Sequence, residues 1–300
     1  MNQDRRSFLK TSSLALAAGM LQPSLGWASP TGSRPLIKKS LKYGMIKEDL
    51  SLLDKFLLVK DLGFDGVEMD SPNGFELKDI LKARDKSGIE LPGVVNSLHW
   101  KKPLSDPDPE VRKACTDSII QALKDTKEMG GTTVLVVPGV VKEQVSYQQA
   151  WDRSIEEIKK VLPTAEKTGV KLALENVWNN FLLSPVEALH YLNQFDSDMI
   201  GWYLDVGNLL RYGWPLHWVE ILQHRILKID IKEYSLKKMR DEGIWKGFQV
   251  ELTEGDVDWP GLNWGLAEVG YQGWGSAEVP GGDRKRLAKI SELMDKIYAS

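Results

Sequence analysis

The chain has 300 residues, 42% hydrophobic and 27% charged, with a formal net charge of −3. That composition fits a soluble globular protein large enough for one α/β barrel, and it excludes a global basic field directed at nucleic acid or an anionic membrane. Cys115 is the only cysteine, so an internal disulfide is impossible and a cysteine-based zinc site is all but excluded.

In chain order, residues 1–28 read first as a targeting segment. Arg5 and Arg6 sit in a polar start, an apolar stretch runs from Leu14 to Leu21, and Gly26 and Ala28 offer a small-residue exit. The pattern resembles a twin-arginine export leader, with Asp4 where Ser or Thr is usual. The apolar stretch is short for a transmembrane helix, and no cysteine follows it to carry a lipid anchor. The expectation is a mature chain that begins near Ser29 and lies in the periplasm or is otherwise exported, with one domain over residues 29–300. A cytosolic amphipathic N-terminus is the alternative.

From Ser40 onward, short apolar runs alternate with helical patterns. The runs are Leu41–Met45, Gly66–Met69, Leu91–Val95, Thr133–Pro138, Lys171–Glu175, Ile200–Asp205, Ile226–Lys232 and Gly275–Val279. Between and after them, apolar residues recur every three or four positions. Val111, Cys115, Ile119 and Leu123 mark one helix, and Leu287, Ile290, Leu293, Met294 and Ile297 mark the last. Cys115 in such a stripe reads as a small buried hydrophobe. Strand and helix in alternation predict a parallel sheet, and eight such units predict a single (β/α)₈ TIM barrel. An open doubly wound sheet is the alternative, but no Gly-x-Gly-x-x-Gly follows any strand. Glu233 to Asp258 reads as the longest non-helical connection, leaving the seventh strand on the face where barrel enzymes place their chemistry.

Strand alternation then sorts side chains between the barrel interior and the helices. In the fifth strand Leu172 and Leu174 suit the helices, which turns Lys171, Ala173 and Glu175 inward. In the sixth, Tyr203 and Asp205 share a face. In the seventh, Ile229 and Ile231 face out, so Lys228, Asp230 and Lys232 face in. In the eighth, Glu278 faces in between Ala277 and Val279. Four consecutive strands thus bring an acid to one rim. Carboxylates this close repel strongly unless a cation joins them, and oxygen ligands favour Mg²⁺ or Mn²⁺. The competing reading pairs some of the acids with Lys171, Lys228 or Lys232. Lys232 is the basic residue expected in the site. His99 and Trp100 follow the third strand, Trp178 follows the fifth, and Trp245 lies in the seventh loop, so these are candidate walls for a sugar. His190, His217 and His224 read as packing or surface residues.

The chain resembles the xylose-isomerase-like barrels, the sugar isomerase and epimerase superfamily, over nearly all of its mature length. The marks are Gly63-Phe-Asp-Gly-Val-Glu68, Leu174-Glu-Asn176, Leu204-Asp-Val-Gly-Asn208, Lys232-Glu233, Glu254-Gly-Asp-Val-Asp-Trp259 and Gly273-Trp-Gly-Ser-Ala-Glu278. The resemblance implies one divalent metal held by Glu175, Asp205, Asp230 and Glu278, with Glu175 and Glu278 as the proton-transfer pair. It also puts Glu68, Asn176 and Asn208 beside the substrate. The sequence departs from the family's His-x-Lys-Asp after strand seven, which here is Asp230-Ile-Lys232-Glu233, and a frequent second histidine is Asn208. The implied activity is isomerisation or epimerisation next to a carbonyl of an unphosphorylated sugar. Elimination or hydration on a 3-keto-glycoside is the first alternative and a non-catalytic sugar-binding barrel the second. A phosphodiester endonuclease of the abasic-site type would need more histidines and a basic face. The expected partner is a small sugar, with no nucleic acid and no membrane insertion of the mature chain; a homo-oligomer is compatible with all of this.

Overall fold

The computed structural model describes residues 35–300. The expected leader over residues 1–28 and the cleavage point near Ser29 lie outside the described residues.

The two sequence periods fold as expected. The strands are β1 (Leu36–Lys42), β2 (Gly66–Ser71), β3 (Gly93–Asn96), β4 (Thr133–Val136), β5 (Lys171–Glu175), β6 (Ile200–Asp205), β7 (Ile226–Ile231) and β8 (Gln272–Ala277). They pair in chain order, and β8 closes on β1 to make a barrel of parallel strands. Helices connect successive strands, which is the (β/α)₈ arrangement.

Local chemistry sets the helix ends. The helix Pro109–Met129 starts where Asp108 accepts a bond from the Glu110 amide and Pro109 supplies a preset φ; it stops at Gly130, whose φ of +80° suits glycine. Cys115, Ile119 and Leu123 form its buried stripe, while Val111 is only half-buried. Burial pushes the Cys115 thiol up to about 12, which keeps it unreactive. The last helix, Arg284–Ala299, buries Leu287, Ile290, Leu293, Met294 and Ile297 as the periodicity predicts.

Two apolar layers result. The larger lies between strands and helices and takes Leu172, Leu174, Ile229, Ile231 and Ala277. The smaller fills the barrel with Leu135, Ala173 and Tyr203, flanked by Val95 and Leu227. Among the described residues no helix is long and apolar enough to cross a membrane.

Three expectations need correction. The first strand was expected at Leu41–Met45 but runs Leu36–Lys42, and Tyr43–Met45 form a 3₁₀ turn. Its lysines disguise it: Lys39 leaves the barrel to bond Ser291 Oγ at 2.9 Å and Asp295 Oδ1 at 2.6 Å on the last helix. The eighth strand ends at Ala277, so Glu278 follows it directly. The connection Glu233–Asp258 is not wholly irregular, because it holds a short helix, Leu236–Glu242, and a 3₁₀ segment, Ile244–Phe248.

Candidate active site

Barrel closure brings the rim acids together. Asp205 and Asp230 are register partners across β6 and β7, which the pitch of a sheet sets roughly 5 Å apart. Glu175 ends β5, and Glu278 follows β8. One carboxylate oxygen from each of Glu175, Asp205, Asp230 and Glu278 lies within 4.8 Å of the others.

Three lysines enter the same space. Lys232 Nζ lies 2.5 Å from Asp205 Oδ2 and 3.0 Å from Glu278 Oε2. Lys42, the last residue of β1, lies 2.7 Å from Glu68 Oε2 and 2.8 Å from Asp230 Oδ1. Lys228 pairs with Glu68 deeper in the barrel. Gly93 makes room for it, since a Cβ there would meet Lys228 Nζ at 3.3 Å and the Thr133 carbonyl oxygen at 2.4 Å. Tyr203 completes this floor by donating its hydroxyl to Glu68 Oε2 at 2.7 Å. If all ionise, the five carboxylates exceed the three ammonium groups by two negative charges.

That excess appears in the proton affinities. Burial first, then Glu278, Asp230 and Asp205, raise the Glu175 carboxyl well above the usual range. Burial also raises Asp230; Lys42 opposes it, but Glu278, Asp205 and Glu68 prevail. Asp205 is raised by burial against the pull of Lys232. Glu278 is the exception: Lys232 and Lys42 overcome its burial and hold it at about 2. Asp230 is met by the Lys42 ammonium at 2.8 Å and Glu278 by the Lys232 ammonium at 3.0 Å, and both carboxylates are buried at these oxygens.

Above the carboxylates a cavity of ≈ 650 Å³ opens, lined by Lys42, His99, Trp100, Glu175, Trp178, Asn208, Lys232, Glu233, Trp245, Phe248 and Glu278, among others. His99 is buried, and its Nδ1 accepts from the Val137 amide at 3.3 Å. Burial drops its pKa to about 3, so the ring is neutral and its remaining nitrogen, Nε2, carries the proton. Trp178 donates from Nε1 to the Asn208 carbonyl at 2.9 Å, and Asn208 Oδ1 lies 3.4 Å from Lys232 Nζ.

The structure separates the remaining expected residues. His99, Trp100, Trp178, Asn208 and Lys232 line the cavity, whereas Glu68 and Asn176 do not. Glu68 is spent on Lys42, Lys228 and Tyr203. Asn176 clamps β5 to β6, its Oδ1 accepting from Trp202 Nε1 and the Asp205 amide and its Nδ2 donating to the Asp205 carbonyl. A buried amide or carboxylate must find such partners, and here protein groups supply them. Asp230 meets neither flanking lysine in an ion pair; its counter-charge is Lys42.

Sequence reasoning missed Lys42 and the work of Glu233. Alternation applied to the true β1 would have turned Ser40 and Lys42 inward. Glu233 accepts from the amides of Tyr234, Thr253 and Val257 and from Trp259 Nε1, which folds the seventh connection back over the rim. The signal was present in Glu254-Gly-Asp-Val-Asp-Trp259, the segment it binds.

Comparison with known proteins agrees with this architecture. The family model described as xylose isomerase-like TIM barrel matches residues 56–299. An uncharacterized protein of Methanocaldococcus jannaschii is 27% identical over 209 residues, 66% of this chain and 67% of that protein. An L-ribulose-5-phosphate 3-epimerase of Salmonella heidelberg is 26% identical over 260 residues, 79% of this chain and 87% of that protein. Among solved structures, a D-tagatose 3-epimerase-like protein superposes with a TM-score of 0.73 at 22% identity, covering 88% of this chain and 97% of the other. A 3-keto-D-glucoside 4-epimerase from E. coli superposes with a TM-score of 0.72 at 15% identity, covering 88% of this chain and all of the other.

Proposed function

The chain belongs to the xylose isomerase-like TIM barrel family, and from that premise we propose that it is a metal-dependent sugar epimerase or isomerase acting next to a carbonyl. The convergence of Glu175, Asp205, Asp230 and Glu278 within 4.8 Å, with Glu175 and Glu278 lining the cavity and Asp205 and Asp230 buried beside them, carries the reading. These oxygens suit a hard divalent cation, Mn²⁺ or Mg²⁺ in the first place, and a double positive charge offsets the excess of two negative ones. Four clustered carboxylates that share the Lys42 and Lys232 ammonium groups as counter-charges are the state such an ion relieves. When bound, it supplies Lewis-acid stabilisation of charge developing on substrate oxygens.

The protein's own groups divide the remaining work. Glu278 and Glu175 both line the cavity, and we assign Glu278 as the group that takes a proton from the carbon beside the carbonyl. The C–H pair moves into the neighbouring carbonyl to give an enediolate, and Glu175 delivers a proton to the opposite face. Lys232 and the neutral Nε2–H of His99 are donors on the cavity wall for substrate oxygens. The cationic residues among those lining the cavity, Lys42 and Lys232, are each taken by two carboxylates. That supports an unphosphorylated sugar, although a relative is named for a sugar 5-phosphate.

The test is incubation of the Mn²⁺-loaded protein with unphosphorylated ketoses and keto-glycosides, followed by NMR. The expected result is an epimer or isomer whose formation stops with a chelator and returns with Mn²⁺. Release of a free aglycone instead would identify elimination. No metal-dependent conversion of any member of the panel would overturn the proposal.

A further inference from the structure

The floor of the cavity is charged, but its outer wall is aromatic, and the wall is larger than one sugar ring needs. Trp178 lies 4.9 Å from the Trp245 ring and 4.9 Å from the Phe248 ring, inclined by 46° and 39°. Tyr234 backs the group at 4.7 Å from Phe248. Its hydroxyl holds the Ile244 carbonyl at 2.7 Å, and Trp178 is fixed through Asn208. The platform is therefore built rather than loose. Yet Trp245 leaves 67% of its surface to solvent while it lines the cavity. Trp245 rests on Trp178 and Phe248 through ring contacts alone, and its open face lies on the cavity. Lys232 joins the two regions: it bonds Asp205 below, and its ammonium is 5.7 Å from the Phe248 ring.

We propose that this platform is a second subsite, which binds the ring attached to the reacting sugar, so that the substrate class is a keto-glycoside or keto-disaccharide rather than a free ketose. The proposal rests on the reading of the carboxylate floor as the site of proton transfer. Volume agrees: ≈ 650 Å³ lies well inside the roughly 300–1,000 Å³ range of ligand pockets and leaves room beyond a single hexose ring. The chemistry agrees too, because the C–H face of a pyranose packs on an indole while its hydroxyls need donors at the edge. Arg211 braces Trp178 without being among the residues that line the cavity. Its guanidinium lies 4.8 Å from the Trp178 ring centre and has no carboxylate partner among the described residues.

Binding tests this without requiring turnover, so it can fail while the proton-transfer reading stands, and the reverse. Glucose, cellobiose and trehalose are titrated by calorimetry into the Mn²⁺-saturated full chain, wild type and variants. At least one disaccharide should bind about tenfold tighter than glucose. Trp245→Ala should bring that ratio close to one, Trp245→Phe should keep part of it, and Trp214→Ala, at an exposed tryptophan outside the cavity, should leave it unchanged. Equal affinity for glucose and both disaccharides, no disaccharide binding, or an undiminished ratio in Trp245→Ala would each overturn the proposal.

Discussion

Replacing Asp230 with asparagine separates a metal ligand from a simple partner of Lys42. In the metal-free protein Asp230 is fully buried, is met by the Lys42 ammonium at 2.8 Å, and sits within reach of three other carboxylates. Its raised pKa means that the folded state disfavours the charged form, by about 1.4 kcal/mol per pKa unit. Asparagine removes that penalty and leaves Lys42 paired with Glu68 at 2.7 Å. The metal-free variant should therefore be as stable as wild type or more so, by about 1 kcal/mol, which is roughly 2–4 °C in a chain of this size. Metal binding should move the other way. If the lost charge weakens Mn²⁺ about 100-fold, then a concentration that gives wild type about 2.7 kcal/mol of stabilisation gives the variant about 0.4 kcal/mol. Thermal unfolding with and without Mn²⁺ reads both effects. A shift of about 5–10 °C in wild type should shrink to about 1 °C in Asp230→Asn. Asp230→His should recover binding, with preference moved towards Zn²⁺ or Co²⁺. An equal Mn²⁺ shift in wild type and Asp230→Asn, together with a less stable metal-free variant, would refute the ligand assignment and leave Asp230 as the partner of Lys42.

Glu175→Gln and Glu278→Gln should each lower turnover by ~100–10,000-fold while circular dichroism shows the barrel intact; near-normal turnover in either removes that residue from the mechanism. Glu175 and Asp230 both hold their protons above the usual range; Mn²⁺ binding near neutral pH should release that of Asp230, while Glu175 keeps the one it delivers to substrate, and calorimetry in buffers of different ionisation enthalpy measures the number. The same two groups bind protons more tightly folded than unfolded, so their contribution to metal-free stability is full below their unfolded values of 4.5 and 3.8 and is lost as pH rises. Saturating Mn²⁺ should remove the Asp230 part of that loss. Changing Arg5 and Arg6 to lysine should trap precursor in the cytoplasm, and normal export of the variant would count against the twin-arginine proposal.

Much of the barrel was legible because its two periods are clean. In β5 to β7 one face is leucine, isoleucine and Trp202 and the other carries Glu175, Asp205 and Asp230, so alternation alone placed those acids inside. The reading failed where apolar content and strand position part company. β1 contains three lysines, each drawn elsewhere: Lys38 to Glu90, Lys39 to the last helix, and Lys42 into the barrel. A window that looks for an apolar run slides past such a strand, and with it past Lys42. The roles of Glu68 and Asn176 were hidden for another reason. Whether a buried polar group meets substrate or protein depends on which partners the closed barrel brings to it, and those partners are Lys228 and Tyr203 for one and Trp202 for the other. Nor could spacing show that Glu233 would bind amides twenty and more residues away.

The central claim is proton transfer at a carbon beside a carbonyl, with Glu278 and Glu175 on opposite sides. Solvent deuterium tests it most directly: keto-sugars that bind the Mn²⁺-loaded protein are held with it in D₂O, and each position is followed by NMR. Deuterium should enter at one carbon next to the carbonyl, at a rate that falls with chelation and in Glu278→Gln. Conversion of substrate with no deuterium at that carbon, or no exchange in any keto-sugar that binds, would contradict it.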